Sequence, residues 1–230
     1  MSIILCIETG TEVCSVSLSK DNQVIAIRES SEPQAHAHSL AVFIDELLAS
    51  NNLTAADLSV VAVSEGPGSY TGLRIGVSTA KGICFGSKLP MIAIGSLAAL
   101  VQGALGQVTD QGALYCPMID ARRMEVYTAL YNAKGEKQTD VEALIIDENS
   151  FASELERNVI YFFGNGAGKC ADVITHPNAR FIDVKASAAN MVPIALNMLS
   201  AEVFVDVAYY EPFYLKDFVV TKSKKNLLGL

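Results

Sequence analysis

The sequence predicts an α/β protein of two lobes, and three observations carry that prediction. Short apolar runs of strand length recur at residues 3–7, 60–63, 91–94, 114–119 and 159–163. Helical stripes separate them, clearest where Leu40, Phe43, Ile44, Leu47 and Leu48 fall at i, i+3, i+4, i+7 and i+8. The opening pattern of strand, turn and strand occurs twice, from Ile3 and again from Leu114, with unlike residues. Each half therefore reads as a mixed sheet with helices. The expected division is a first lobe over 1–110, a shorter second lobe over 111–215 and a basic, poorly ordered end over 216–230. With 230 residues, half of them hydrophobic, the chain can fill the cores this requires.

In chain order, the run at 3–7 is a buried strand and residues 9–12 turn the chain. Cys14, Val16 and Leu18 then alternate with Ser15 and Ser17, the period of a half-buried strand. A turn at Asp21-Asn22 leads to a third strand over 24–27, completing an antiparallel meander. Residues 30–38 are polar, carry Pro33 and read as a loop before the amphipathic helix over 40–48. Thr54 with Asp57 marks a short capped turn. The strand at 60–63 runs into a glycine-rich helix, the strand at 91–94 comes next, and Ser96 caps a helix reaching about residue 105. In the second lobe, strands at 114–119 and 126–131 flank the turn Asp120-Ala121-Arg122-Arg123. A short helix falls within 144–155, and the strand at 159–163 ends in Gly164-Asn165-Gly166. Pro193 suits the first turn of a helix over 191–199, and 209–215 is extended.

The glycine-rich helix is the unusual element. Gly66-Pro67-Gly68 turns the chain, and Ser69 and Thr71 are both suited to cap the helix that begins there. Gly72, Gly76, Gly82 and Gly86 each cost that helix about 1 kcal/mol relative to alanine. Gly72, Gly76 and Ala80 are four apart and share a face nearly without side chains. Such a face implies close backbone approach by another helix, a strand or a ligand. Arg74 and Lys81 exclude the membrane version of this spacing.

Composition removes several functions. Lys and Arg number 17 against 25 Asp and Glu, a net charge of −8, which is not the footprint of a nucleic-acid-binding surface. Only the end of the chain, with Lys216, Lys222, Lys224 and Lys225 against Asp217, runs the other way. Five cysteines without CxxC spacing read as buried, reduced thiols of a cytoplasmic protein. The first residues lack a basic leader segment, and no run approaches a membrane span. His36 and His38 are two apart, no HxxxH pair exists, and no metal site is expected. Gly164 to Cys170 resembles a P-loop only superficially, since Cys170 stands where Ser or Thr would hold magnesium. Glu8 and Asp120 each end the first strand of a half; paired in a cleft they could hold magnesium, and singly they form turns.

Beyond these local readings, Ile7-Glu8-Thr9-Gly10-Thr11 followed by Cys14-Ser15-Val16-Ser17-Leu18 resembles the first phosphate hairpin of the actin-like ATPase superfamily. The run from Gly66 to Gly76, GPGSYTGLRIG, and Asp120-Ala121-Arg122-Arg123-Met124-Glu125-Val126-Tyr127 are similar to its TsaB/YeaZ branch, and the likeness extends to 212–216. That resemblance implies a two-lobed actin-like (ASKHA) fold and a non-catalytic subunit, without cofactor, of the machinery making threonylcarbamoyladenosine in tRNA. It implies a TsaD-like catalytic partner, a TsaE-like ATPase joining through the complex, and contact with tRNA only through that complex. An exposed partner face could also close a homodimer through the same patch when the chain is alone. Docking through the first two helices would use Leu40, Phe43, Ile44, Leu47, Gly72, Leu73, Gly76, Val77 and Ala80. Glu8, Thr9, Gly10, Thr11, Gly68 and Ser69 are the candidate anion contacts. Glu8 stands where the superfamily commonly has Asp, and the second lobe lacks a clear adenosine-binding segment, which argues against ATPase activity. The rival expectation is an actin-like ATPase or kinase using Glu8 and Asp120.

Overall fold

A computed structural model describes residues 2–32 and 34–216. The expected poorly ordered end beyond Lys216 lies outside the described residues. The first sheet has the order β3-β2-β1-β4-β5, formed by β1 (Ile3–Glu8), β2 (Cys14–Lys20), β3 (Gln23–Ser30), β4 (Val60–Gly66) and β5 (Met91–Gly95). β1, β2 and β3 form the expected antiparallel meander, while β4 runs parallel to β1 and β5 parallel to β4.

One face of this sheet is covered by α1 (Ala35–Ser50) and α2 (Tyr70–Ser87). Leu5 and Ile7 of β1, Val16 and Leu18 of β2, and Val61 and Val63 of β4 meet Leu40, Ile44 and Leu47 of α1 and Val77, Ala80 and Cys84 of α2 there. α1 begins at Ala35 inside the expected loop, because Gln34 turns the chain with φ 63° and leaves the polar residues after it free to wind. Thr54 and Asp57 form the expected capping box.

The second sheet has the order β10-β9-β6-β7-β8, from β6 (Leu114–Asp120), β7 (Glu125–Thr128), β8 (Glu142–Ile145), β9 (Ile160–Phe163) and β10 (Ala179–Phe181). The short edge strands β8 and β10 were not legible in the sequence: four and three residues are too few to show a period. The short helix expected in this region is α4 (Ala152–Leu155).

The two layers are not consecutive halves of the chain. α3 (Ser96–Leu105) follows β5 yet lays Leu97, Leu100, Val101 and Ala104 on the second sheet against Tyr115, Ile119 and Phe163. Its Ala99 faces the first sheet, so α3 is shared. Conversely α5 (Val192–Ser200) returns to the first sheet, where Ala188, Met191, Val192 and Ala195 cover Ile4, Cys6, Ala62 and Ile92. That return corrects the expectation for β2. Ser15, Ser17 and Ser19 are fully buried because the chain around Ala188 closes over them, and the Ala188 N–H donates to Ser15 Oγ at 2.8 Å. A division at residue 110 therefore separates the sheets but not the helices that cover them.

The chain from Val205 onward forms a strap. Val205 bridges to Met91, Lys81 Nζ donates to the carbonyls of Ala208 and Tyr210 at 3.0 and 3.1 Å, and the Phe213 N–H donates to Glu65 O at 2.8 Å. Tyr214 packs 4.8 Å from the Tyr70 ring, and Lys216 pairs with Glu125 in the second lobe. Of the stretch 209–215 expected to be extended, Tyr209 belongs to a turn, Leu215 to a bend, and 210–214 join no sheet.

Candidate functional site

α2 begins where the sequence places it. Ser69 is the N-cap, and its Oγ accepts from the Gly72 N–H at 3.2 Å. The bare face of the helix does receive close backbone approach, and the approaching segment is the chain's own β1–β2 turn. A Cβ on Gly72 would lie 2.1 Å from Thr9 O, one on Gly76 would lie 2.2 Å from Thr9 Oγ1, and one on Gly68 would lie 2.1 Å from Gly10 O. At Gly68 and Gly72 glycine is required because backbone packs on backbone, and at Gly76 because the Thr9 side chain fills the space.

The same turn engages several of the candidate anion donors itself. The Ser69 N–H, which a helix N-terminus would offer to a phosphate, donates instead to Gly10 O at 2.7 Å. The Gly10 N–H donates to Glu8 Oε1 at 2.6 Å, the Thr9 N–H to Ser64 Oγ at 3.1 Å, and the Val13 N–H to Thr11 Oγ1 at 3.2 Å. Glu8 is 1 % exposed, and burial pushes its carboxyl up to about 7 against the pull of hydrogen bonds from Gly10, Ser64 and Thr9. A buried carboxylate and a backbone carbonyl therefore occupy the place where a phosphate would need donors.

The residues expected to dock a partner are mostly core residues. Leu40, Ile44 and Leu47 are buried under α1, and Gly72, Leu73, Gly76, Val77 and Ala80 under α2; Phe43 alone keeps partial exposure. This corrects their assignment to a partner surface: the periodicity marks the buried face, and that face is filled by the chain's own sheet and turn. The outer face is different. Phe85 is 85 % exposed on α2, Gly82 and Gly86 beside it have open space where a side chain would stand, and Val42 is 51 % exposed on α1. Phe85 lies on neither the bare face read from the sequence nor the buried stripe through Leu73, Val77, Ala80 and Cys84, and nothing local marks it as exposed.

Other candidates resolve as structural. His36 bonds the Val13 carbonyl, His38 faces Gln34 and His176 Nδ1 accepts from the Asn178 N–H. Asp120 pairs with Lys169 and accepts from the Arg122 N–H at 3.1 Å, while its own N–H donates to Asn165 Oδ1 at 3.0 Å. Lys169 is thereby tied to the β6–β7 turn, and Gly164 and Gly166 before it pack on Met118 O. All five cysteines are buried and free, as expected. Ser96 is the first residue of α3 rather than its cap: Gly95 holds the cap position, and the Ser96 hydroxyl, 2 % exposed, points back towards Gly10.

A family model described as "TsaD: tRNA N6-adenosine threonylcarbamoyltransferase" matches residues 27–158. The tRNA threonylcarbamoyladenosine biosynthesis protein TsaB of Escherichia coli (strain K12) is 31% identical over 96% of this chain and 97% of its own length. The chain belongs to the TsaB (YeaZ) family. The Bacillus subtilis (strain 168) TsaB is 33% identical over 69% of each chain. Among solved structures, YeaZ from Pseudomonas aeruginosa superimposes with a TM-score of 0.80 at 27% identity, covering 94% of this chain and all of that one. The activator of the 2-hydroxyisocaproyl-CoA dehydratase from Clostridium difficile, solved with bound ADPNP, shares the fold alone, with a TM-score of 0.52 at 9% identity. The two-lobed actin-like fold expected from the sequence is thus the fold of the chain. In this TsaB-family molecule, no described helix is long and apolar enough to cross a membrane. Among its described residues, no three His, Cys, Asp or Glu converge where they could hold a metal ion.

Proposed function

We propose that this chain acts in tRNA threonylcarbamoyladenosine biosynthesis, in the cytoplasm, as a partner subunit. It docks a TsaD-family catalytic protein on the outer face of α1 and α2 and carries no catalytic centre of its own. The observation that carries the reading is Phe85, an almost fully exposed phenylalanine beside a helix face left bare by Gly82 and Gly86. Such a side chain, with open space along one flank, suits insertion into a partner's pocket, and burying it contributes about 2–3 kcal/mol. Val42 is a second exposed apolar side chain, on the neighbouring helix. The self-satisfied phosphate hairpin supports a supporting role: with Gly10 O on the start of α2 and Glu8 beneath it, nucleotide chemistry belongs to the partner. The TsaE-like ATPase and tRNA join through the complex. In the absence of the partner the same face closes a homodimer.

Phe85→Asp should weaken association with the TsaD-family protein of the same organism by roughly 30-fold or more. Its thermal midpoint should not change, because the side chain packs on nothing the fold needs. The measurement is titration calorimetry of the purified pair, with light scattering of the isolated chain to follow self-association. Undiminished affinity in Phe85→Asp and in Val42→Asp would sink the proposal.

A further inference from the structure

Away from the docking face, the structure holds a cleft between the lobes that the proposed role does not use. β4 and β5 are parallel and end side by side at Glu65, Gly66 and Gly95, and α3 starts at that point. Crevices outside the carboxyl ends of parallel strands are where α/β sheets take ligands. The opposite wall is the segment 131–141 of the second lobe, and Phe213 of the strap closes one side, leaving about 640 Å³.

The lining is mixed in charge. Glu65 and Asp140 bring carboxylates, Lys137 brings an ammonium group, and the first turn of α3 brings N–H groups that no side chain caps. Among the described residues, Lys137 and Asp140 have no ion pair with each other or with any other group. Tyr131 stands among them. It is 4 % exposed and lines the cleft, and its hydroxyl, which has no partner among the described residues, opens to the cleft. A tyrosine with a buried ring and a free polar tip suits a hydrogen bond to a ligand. Burial and the nearby Glu65 charge push this phenol up to about 12, so it keeps its proton and can still donate.

We propose that this cleft binds a small zwitterion of the α-amino-acid class. Its carboxylate meets Lys137 and the N-terminus of α3, its ammonium meets Glu65 and Asp140, and the Tyr131 hydroxyl completes the polar contacts. A simple anion or cation matches only half of these walls and faces like charge on the other half. The site does not depend on partner docking, and either proposal can fail while the other stands.

The test uses the full chain alone, with calorimetry and thermal melts against the twenty standard L-amino acids, each at up to about 10 mM. For each binder, the matching amine and the matching carboxylic acid, each lacking one charge, are run beside it. At least one amino acid should bind, and removing either charge should cost about 10-fold or more in affinity. Lys137→Ala should leave the melt unchanged and weaken binding about 10-fold. Tyr131→Phe should leave the melting temperature of the free protein unchanged, because the hydroxyl is open to the cleft, and should weaken ligand binding several-fold. A tyrosine with a purely structural role would lower the melt and leave affinity intact. The proposal is overturned if no amino acid binds, if the one-charge analogues bind equally well, or if Tyr131→Phe or Lys137→Ala leaves affinity intact.

Discussion

Gly72→Ala should destabilise the protein by at least about 2 kcal/mol, whereas Gly82→Ala in the same helix should stabilise it by about 0.5–1 kcal/mol. The chemistry of the two substitutions is identical, and helix propensity favours alanine equally at both. The difference lies in the atoms standing opposite. At Gly72 the new Cβ would sit 2.1 Å from the carbonyl oxygen of Thr9, and that oxygen is main chain in the turn clamped by the Ser69–Gly10 and Gly10–Glu8 hydrogen bonds. Neither side can yield without disturbing β1, so overpacking outweighs the propensity gain. At Gly82, as at Gly86, nothing lies within 4 Å of the added atom, and the gain is realised in full. Urea denaturation of both variants measures the pair of signs. Equal effects would mean that the β1–β2 turn does not seat on α2 as described. The same geometry makes Gly76 unsuitable for testing partner docking, because a bulky residue there meets Thr9 before any second protein.

How far the sequence could be read depends on the range of the interaction being read. Periodicity located the buried faces of α1 and α2 correctly, since spacing within one helix is local. It could not say whether the opposing surface belongs to the same chain, because the Thr9–Gly10 turn lies some sixty residues upstream of Gly72 and nothing local links them. The serines of β2 misled for the same reason: alternation signals one wet face, and it took the return of the chain at Ala188, far downstream, to cover that face. Ser96 looked like a cap because its residue type suits one, but the parallel pairing of β5 with β4 carries strand geometry through Gly95 and leaves Ser96 inside the helix. The motifs GPGSYTGLRIG and DARRMEVY pointed to the family, while the exposed Phe85 and the inter-lobe cleft at Tyr131 needed the tertiary structure to be seen.

Glu8 sets the second large expectation, a stability that depends on pH in an unusual direction. Its carboxyl is fully buried and stands near 7 in the fold, against an ordinary value of 4.5 in the unfolded chain. Below pH 4.5 both states carry the proton and the group contributes no slope. As pH rises from 4.5 towards 7, the unfolded chain releases the proton while the folded chain keeps it, so folding becomes less favourable; above about 7 both are ionised and the loss is complete. The shift corresponds to about 3 kcal/mol. Most paired carboxylates stabilise with rising pH; this one opposes them because desolvation outweighs the hydrogen bonds from Gly10, Ser64 and Thr9. Glu8→Gln removes the ionisation while keeping an oxygen for the Gly10 N–H, and its amide can turn towards the nearby Ser96 hydroxyl, which lacks a partner. The variant should therefore match the parent near pH 4.5 and exceed it by up to about 3 kcal/mol at pH 8, the difference opening between those values. Urea midpoints measured across that range decide it. Parallel curves for the two proteins would show that Glu8 ionises without penalty, and with that the picture of a phosphate hairpin sealed by its own buried acid would fail.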